Sequence, residues 1–230
     1  MMPKKLILQL ETATTMCSVA LASGGEILAV KELNERNVHA SQITLFIDEV
    51  MKAAGKSYQD LDAVSISKGP GSYTGLRIGV STAKGLCFAL DIPLIAVDTL
   101  EAMASGYLLS HAIAENTLLC PMVDARRMEV YTAIFNEHLG LVEGVEAKIL
   151  DESTFNEYLY EHPVVFFGDG ASKSQALYSE SVNYQYVEFE NSAAHMSAIS
   201  LRKLLNGETE NLAYFEPFYL KDFIPGVATK

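Results

Sequence analysis

The chain is poor in cysteine and has no long apolar run, and each shortage excludes a class of protein. Its cysteines, Cys17, Cys87 and Cys120, are odd in number, far apart and outside any CxxC pair. We therefore expect reduced, buried thiols and no disulfide framework. No stretch approaches the ~20 apolar residues that a membrane helix needs, and Gln9 and Glu11 interrupt the N-terminal apolar run too early for a signal peptide. These features predict a soluble, cytoplasmic protein without a membrane partner.

Basic side chains are also scarce. The 230 residues include 29 acidic and 17 basic side chains, which give a formal net charge of −12. Such a surface repels phosphate backbones, so we expect no unaided binding of nucleic acid. If RNA is involved, another subunit should hold it. About half of the residues are apolar, which predicts a sizeable core in one large domain or two small ones.

The usual catalytic and metal-binding patterns are missing as well. No two histidines are three to five residues apart, which excludes a helical or finger-like ligand pair. No GxSxG nucleophile motif is present, and the cysteines have no evident histidine partner. We therefore predict no catalytic residue, no metal and no cofactor.

Hydrophobic periodicity divides the chain into two segments with a similar order of predicted strands and helices, which we call the two repeats. The first reads strand, strand, strand, helix, strand, helix, strand, at about 5–11, 16–22, 26–33, 39–55, 62–67, 74–90 and 92–97. The second reads strand, strand, strand, helix, strand, at about 118–124, 128–135, 141–149, 152–161 and 163–167. A helix over 98–115, with Asp98 as its N-cap, should join them.

The first strand of each repeat ends in an acidic residue, Glu11 in the first and Asp124 in the second. The two residues are separated by about half of the chain. A true duplication predicts an α/β fold of two stacked lobes, with these acids facing each other across a cleft. The alternative is that two β-meanders resemble each other by chance.

A glycine-rich loop in SKGPGSYTGLRIGVSTAKG, residues 67–85, follows a strand and precedes a helix. No glycine has the spacing of a P-loop. Gly69, Gly71 and Gly75 give GxGxxxG, a variant of the dinucleotide fingerprint, and Asp98 follows the next strand. Three antiparallel strands before the loop argue against a dinucleotide fold, but the sequence leaves this alternative open.

The structural interpretation of the loop is a rigid turn followed by a helix, capped by Ser72 or Thr74. Gly75 and Gly79 are four residues apart, with Ala83 continuing the strip, so they share one helix face. Interior helix glycines cost about 0.5–1 kcal/mol relative to alanine, which indicates that another backbone comes close. That backbone belongs either to the core sheet or to a partner helix.

The first helix raises the same question. Leu45 and Phe46 widen its apolar surface beyond the stripe at Ile43, Ile47 and Val50. A wide stripe is typical of a well-buried helix or of a protein–protein surface.

Several stretches resemble the TsaB (YeaZ) family. They are LETATTMCSVAL at 10–21, HASQI at 39–43, SKGPGSYTGLRIGVSTAKGLCFAL at 67–90, VDARRMEVY at 123–131, FGDGA at 167–171 and FYLKDF at 218–223. The stretch at 67–90 is the most specific. Its signature residues are Gly69, Pro70, Gly71, Ser72, Thr74 and Arg77.

The resemblance implies the actin/Hsp70/sugar-kinase fold, with RNase H-like lobes at 1–100 and 101–230. It implies a non-catalytic scaffold subunit of the complex that forms N6-threonylcarbamoyladenosine at position 37 of tRNA. This subunit would pair with and activate a TsaD-like transferase, and a TsaE-like ATPase would join the pair. It would form a homodimer when alone and meet tRNA only through the complex.

The resemblance also assigns site residues. A vestigial phosphate loop would comprise Glu11, Thr12, Thr14 and Thr15, with Ala13 where the superfamily has glycine, and Asp124 would be a vestigial cleft acid. The partner interface would include Leu45, Gly75, Gly79, Thr82, Ala83 and Leu86. His39 is followed by Ile43, so the HxxxH metal site of the sister subunit cannot form. Two other functions remain as alternatives: a nucleotide-dependent enzyme (ATP or NAD) that uses the cleft, and a peptidase, which the missing nucleophile disfavours.

Overall fold

A computed structural model describes residues 4–221. The end of the predicted C-terminal tail, Asp222 and Phe223, lies outside the described residues. The strands are β1 (Leu6–Glu11), β2 (Met16–Ser23), β3 (Glu26–Asn34), β4 (Ala63–Ser67), β5 (Leu94–Val97), β6 (Leu118–Asp124), β7 (Glu129–Phe135), β8 (Leu141–Ile149), β9 (Val164–Phe167) and β10 (Tyr184–Val187). The α-helices are α1 (His39–Ala53), α2 (Tyr73–Leu90), α3 (Thr99–Ser110), α4 (Asn156–Glu161), α5 (Ser172–Tyr178) and α6 (Ser197–Leu205).

The strands form two five-stranded sheets of the same topology. The first has the order β3-β2-β1-β4-β5 and the second the order β8-β7-β6-β9-β10. In each sheet, three strands form an antiparallel meander, a fourth strand pairs in parallel with the first strand of the meander, and a fifth pairs in parallel with the fourth. The predicted repeat is therefore confirmed, and so is the α/β fold class that the resemblance implies.

Helices cover both faces of the sheets. Helices α1 and α2 pack on the outer face of the first sheet, and α4 and α5 on the outer face of the second. Helix α3 packs on β6 and β7, between the sheets. Helix α6 follows the second sheet in sequence but packs on β1 and β5 of the first. The division of the chain near residue 100 therefore stays a prediction.

Strand β1 lies at the centre of the first sheet, and both of its faces are buried. Leu6, Leu8 and Leu10 contact the layer of α1 and α2, whereas Ile7 faces α6. A buried leucine or isoleucine contributes about 1.5–3 kcal/mol relative to an exposed one. This apolar run therefore fixes the position of β1, and with it the loop that follows Glu11.

The glycine-rich loop joins β4 to α2. The hydroxyl of Ser72 caps α2 by accepting a hydrogen bond from the backbone N–H of Gly75 (3.3 Å), and the N–H of Ser72 donates to the carbonyl oxygen of Ala13 (2.6 Å). A Cβ atom on Gly71 would lie 2.3 Å from this carbonyl oxygen, and one on Gly75 would lie 2.1 Å from that of Thr12. The absence of side chains at Gly71 and Gly75 therefore makes room for the β1–β2 turn of the same chain.

These contacts correct part of the predicted partner interface. A Cβ atom on Gly79 would lie 2.2 Å from Oγ1 of Thr12, and Gly75, Gly79 and Ala83 are buried against their own chain. Their strip faces the core and not a partner. The same contacts leave no room for a pyrophosphate against Gly71 and Gly75, which removes the support for a dinucleotide site. The roles of Leu45, Thr82 and Leu86 stay predictions.

Two alanine substitutions in α2 test this orientation. Gly79→Ala should lower the free energy of unfolding by about 1–3 kcal/mol, because its methyl group overpacks Thr12 and Ile66. Gly85→Ala is the matched control: nothing lies within 4 Å of its Cβ position, so helix propensity should raise stability by about 0.5–1 kcal/mol. Urea unfolding of both variants measures the difference. Equal stabilities would contradict the orientation.

Candidate functional site

A cleft of about 800 Å³ lies between the two sheets. The β1–β2 turn, the start of α1 and the N-terminal turns of α2 form its first wall. The end of β6, the following loop, β7 and Asp169 form the second wall. Residues Tyr219 to Lys221 line it as well.

Asp124 organises the second wall. Its Oδ1 accepts hydrogen bonds from the N–H of Arg126 (2.5 Å) and from Nζ of Lys173 (2.7 Å), and its own N–H donates to Asp169 (2.9 Å). Arg126 and Arg127 follow in a tight turn, with φ angles of +73° and +49°. Asp124 therefore serves as the cap of this turn and as an ion-pair partner.

The predicted phosphate loop is divided between the cleft and the interior. Thr14 and Thr15 line the cleft, whereas Glu11 and Thr12 are buried. The hydroxyl of Thr14 accepts from the N–H of Met16 (3.2 Å), and that of Thr15 donates to Asn34 (2.7 Å). Glu11 and Asp124 end the equivalent strands β1 and β6, as predicted, but Glu11 is fully buried whereas Asp124 is exposed at the cleft.

The carboxyl group of Glu11 is held in the protein interior at the end of β1. Its Oε1 accepts hydrogen bonds from the N–H of Ala13 (2.6 Å) and the hydroxyl of Ser67 (2.9 Å). Burial raises its pKa to about 7, against an ordinary value of 4.5, although these hydrogen bonds lower it. Within residues 4–221 no lysine or arginine forms an ion pair with it. Glu11 is thus an interior group and not a cleft ligand.

The groups that could act as nucleophiles or metal ligands are not assembled for either task. Burial raises the pKa of Cys17 and Cys87 to about 11 and that of Cys120 to about 12, so all three are neutral thiols. His39, at the cleft wall, lies 3.2 Å from the carbonyl oxygen of Met16 through Nε2, and burial lowers its pKa. Among the described residues, no three His, Cys, Asp or Glu side chains are grouped to hold a metal ion.

A second surface lies outside the cleft, on the outer face of α1 and α2. Phe88 is 82% exposed on α2, one turn after Gly85, and Leu45 is 54% exposed on α1. The two helices pack against each other. The sequence reasoning identified Leu45 but missed Gly85 and Phe88. Both lie outside the buried stripe of α2, which includes Gly79, Val80, Ala83 and Cys87, and this spacing was the available signal.

The cleft also contains residues that sequence reasoning did not select. Arg36, Glu129 and Lys221 line it, and Lys173 reaches Asp124 from α5. They come from the loop before α1, from β7, from the C-terminal segment and from an unpredicted helix. Only the folded topology brings them together.

Comparisons with known proteins all lead to tRNA threonylcarbamoyladenosine biosynthesis. The model of a family described as TsaD, tRNA N6-adenosine threonylcarbamoyltransferase, matches residues 27–223. The tRNA threonylcarbamoyladenosine biosynthesis protein TsaB of Escherichia coli is 32% identical over 94% of this chain and 94% of its own length. The protein of the same name from Haemophilus influenzae is 41% identical, over 54% of this chain and 51% of its own length.

Solved structures agree on the fold. A crystal structure from Pseudomonas aeruginosa, described as an uncharacterized protein similar to the peptidase YeaZ, has a TM-score of 0.82 at 22% identity. The match covers 94% of this chain and all of the other. Of the described residues, no helix combines the length and apolar character needed to cross a bilayer.

The buried Glu11 predicts a specific dependence of stability on pH. Its pKa of about 7 in the folded protein lies above the ordinary 4.5, so its contribution to stability is fully present below pH 4.5 and declines as the pH rises through 7. The total loss is about 3 kcal/mol, at about 1.4 kcal/mol per pKa unit. Glu11→Gln cannot lose a proton, so its stability relative to the parent should rise between pH 5 and pH 8.

Urea unfolding at pH 5, 6, 7 and 8 measures this difference, in which the other titrating groups cancel. Glu26→Gln, at an exposed position, is the control and should show no comparable rise. A difference between Glu11→Gln and the parent that stays constant over this range would contradict the burial of an ionisable Glu11.

Proposed function

Since this chain belongs to the TsaB (YeaZ) family of tRNA threonylcarbamoyladenosine biosynthesis proteins, we propose that it is the non-catalytic partner subunit of the threonylcarbamoyltransferase. In this role it pairs with a TsaD-like protein and activates it. The transferase subunit carries the chemistry, and this chain supplies a docking surface.

The exposed aromatic ring of Phe88 is the observation that carries this proposal. An aromatic side chain at 82% exposure loses the free energy that its burial would contribute. The neighbouring Gly85 has open space at its Cβ position and weakens the isolated helix. Both features become favourable when a partner helix packs closely over Gly85 and encloses Phe88. Buried aromatic anchors of this kind dominate the affinity of many interfaces.

A partner of related fold suits this surface. The TsaD family model matches this chain from residue 27 to residue 223, a range that includes α1 and α2. A related transferase would therefore present a corresponding pair of helices, and the two pairs could pack as a four-helix contact. A second copy of this chain would offer the same pair, which supports a homodimer when the transferase is absent.

The candidate catalytic groups support a non-catalytic role. Outside the cleft, the thiols are neutral and Glu11 is buried; within the cleft, Asp124 is engaged by Lys173 and by the N–H of Arg126. None of these groups is free to activate a nucleophile. The proposed role of the cleft in this subunit is therefore structural.

The remaining partners follow from the proposed pairing. We expect a TsaE-like ATPase to bind the assembled pair, as the family resemblance implies. The tRNA should be held by the complex, because the net charge of this chain is −12.

Co-elution with the TsaD-like protein of the same organism tests the docking surface. Phe88→Ala should weaken the pair at least tenfold, since truncating a central aromatic anchor costs about 2 kcal/mol or more. Its melting temperature should stay close to that of the parent, because the ring is exposed. Tyr160→Ala, at 87% exposure on α4, is the matched control and should leave pairing unchanged.

Equal pairing of the parent and Phe88→Ala would overturn the assignment of the surface. In sedimentation of this chain alone, Phe88→Ala should weaken self-association and Tyr160→Ala should leave it unchanged, because one surface serves both contacts.

A separate prediction concerns RNA. The isolated chain should not retard tRNA in a gel at low micromolar protein and physiological salt, because it lacks the cations whose contacts release counterions. The reconstituted complex should retard it. A shift by the isolated chain would show that its surface binds RNA despite the acidic balance.

A further inference from the structure

The C-terminal segment, residues 208–221, runs over the surface of the first lobe, and we call it the C-terminal strap. It begins at the edge of the first sheet, where the N–H of Glu210 donates to the carbonyl oxygen of Leu94 (2.9 Å). Lys84 of α2 holds the next part by donating to the carbonyl oxygen of Phe215 (2.9 Å). These contacts attach the strap along α2.

The strap next passes the glycine-rich loop. The N–H of Phe218 donates to the carbonyl oxygen of Lys68 (2.7 Å), and the Lys68 ammonium group lies 5.9 Å from the Phe218 ring centroid. Gly69 has a φ of +116°, and a Cβ atom there would lie 2.6 Å from the carbonyl oxygen of Phe218. The absence of a side chain at Gly69 therefore makes room for the strap.

Tyr219 fastens the strap to the first turns of α2. Its ring centroid lies 4.8 Å from that of Tyr73, and its hydroxyl accepts a hydrogen bond from Nε of Arg77 (3.2 Å). The Arg77 guanidinium group lies 4.3 Å from the Tyr73 ring centroid. The three side chains thus form one packed cluster at the mouth of the cleft.

The strap then crosses to the other lobe. Tyr219, Leu220 and Lys221 line the cleft, and the ammonium group of Lys221 forms an ion pair with Glu129 of β7. The Lys221 side chain is half exposed, whereas that of Glu129 is largely buried. This ion pair ties the first lobe to the second at the end of the strap.

We propose that the C-terminal strap is a latch across the cleft, anchored on the first lobe and released at the Lys221–Glu129 ion pair. The two ends of the strap are unequal. On the first lobe it has four hydrogen bonds through its backbone N–H and carbonyl groups and an aromatic cluster, whereas its tie to β7 is one partly exposed ion pair. Such pairs shift equilibria by about fivefold or less, so the second-lobe end is the one that opens.

Spin labels on the two lobes measure the width of the cleft in the full chain. Arg36→Cys, before α1, and Glu152→Cys, after β8, provide exposed attachment sites, and the three native cysteines are buried. Lys221→Met should raise the population of longer label distances several-fold. Glu129→Gln should do the same, and the double variant should match either single one, because each removes the same contact. High salt should reproduce the change in the parent.

Lys4→Met is the matched control, because Lys4 pairs with Glu26 within the first lobe. It should leave the distances unchanged. Distances unaffected by Lys221→Met and Glu129→Gln would overturn the latch. So would a double variant whose effect is the product of the two single effects, since independent residues behave in that way.

Discussion

The close approach of the Thr12–Ala13 turn to the glycine face of α2 is the contact on which the rest of the arrangement depends. The carbonyl oxygens of both turn residues lie where Cβ atoms on Gly75 and Gly71 would be, and Ala13 accepts the N–H of Ser72. In a phosphate-binding loop the backbone N–H groups at the start of the helix would donate to a ligand. Here the N–H of Ser72 donates to Ala13 of the same chain, and the glycines accommodate the chain's own turn in place of a nucleotide.

This contact also sets which side of α2 faces outward. With its glycine face fixed on the β1–β2 turn, the helix presents Gly85 and Phe88 to solvent. The same helix holds the C-terminal strap through Tyr73 and Arg77 at its other end. Helix α2 therefore connects three features: the glycine-rich loop packed against the β1–β2 turn, the proposed docking surface and the mouth of the cleft.

Much of the fold could be predicted from the sequence, because strand alternation, Ser72 and Asp98 as caps and the two repeats are local signals. Helix α5, strand β10 and helix α6 were not predicted: α5 and β10 are only seven and four residues long, and α6 packs on β1 and β5, which lie far from it in sequence. The periodicity placed Gly75 and Gly79 on one face of α2 but could not tell which neighbour fills it. Likewise, the burial of Glu11 depends on Ser67, which lies 56 residues away in sequence.

The central claim is that this chain acts through the outer face of α2 and not through its cleft. Threonylcarbamoyl transfer to tRNA by the TsaD-like partner, reconstituted with variants of this chain, tests it most directly. Asp124→Asn should support transfer at the parent rate, whereas Phe88→Ala at limiting concentration should lower the rate at least tenfold. Loss of transfer with Asp124→Asn while pairing stays intact would contradict the claim, because it would assign chemistry to the cleft.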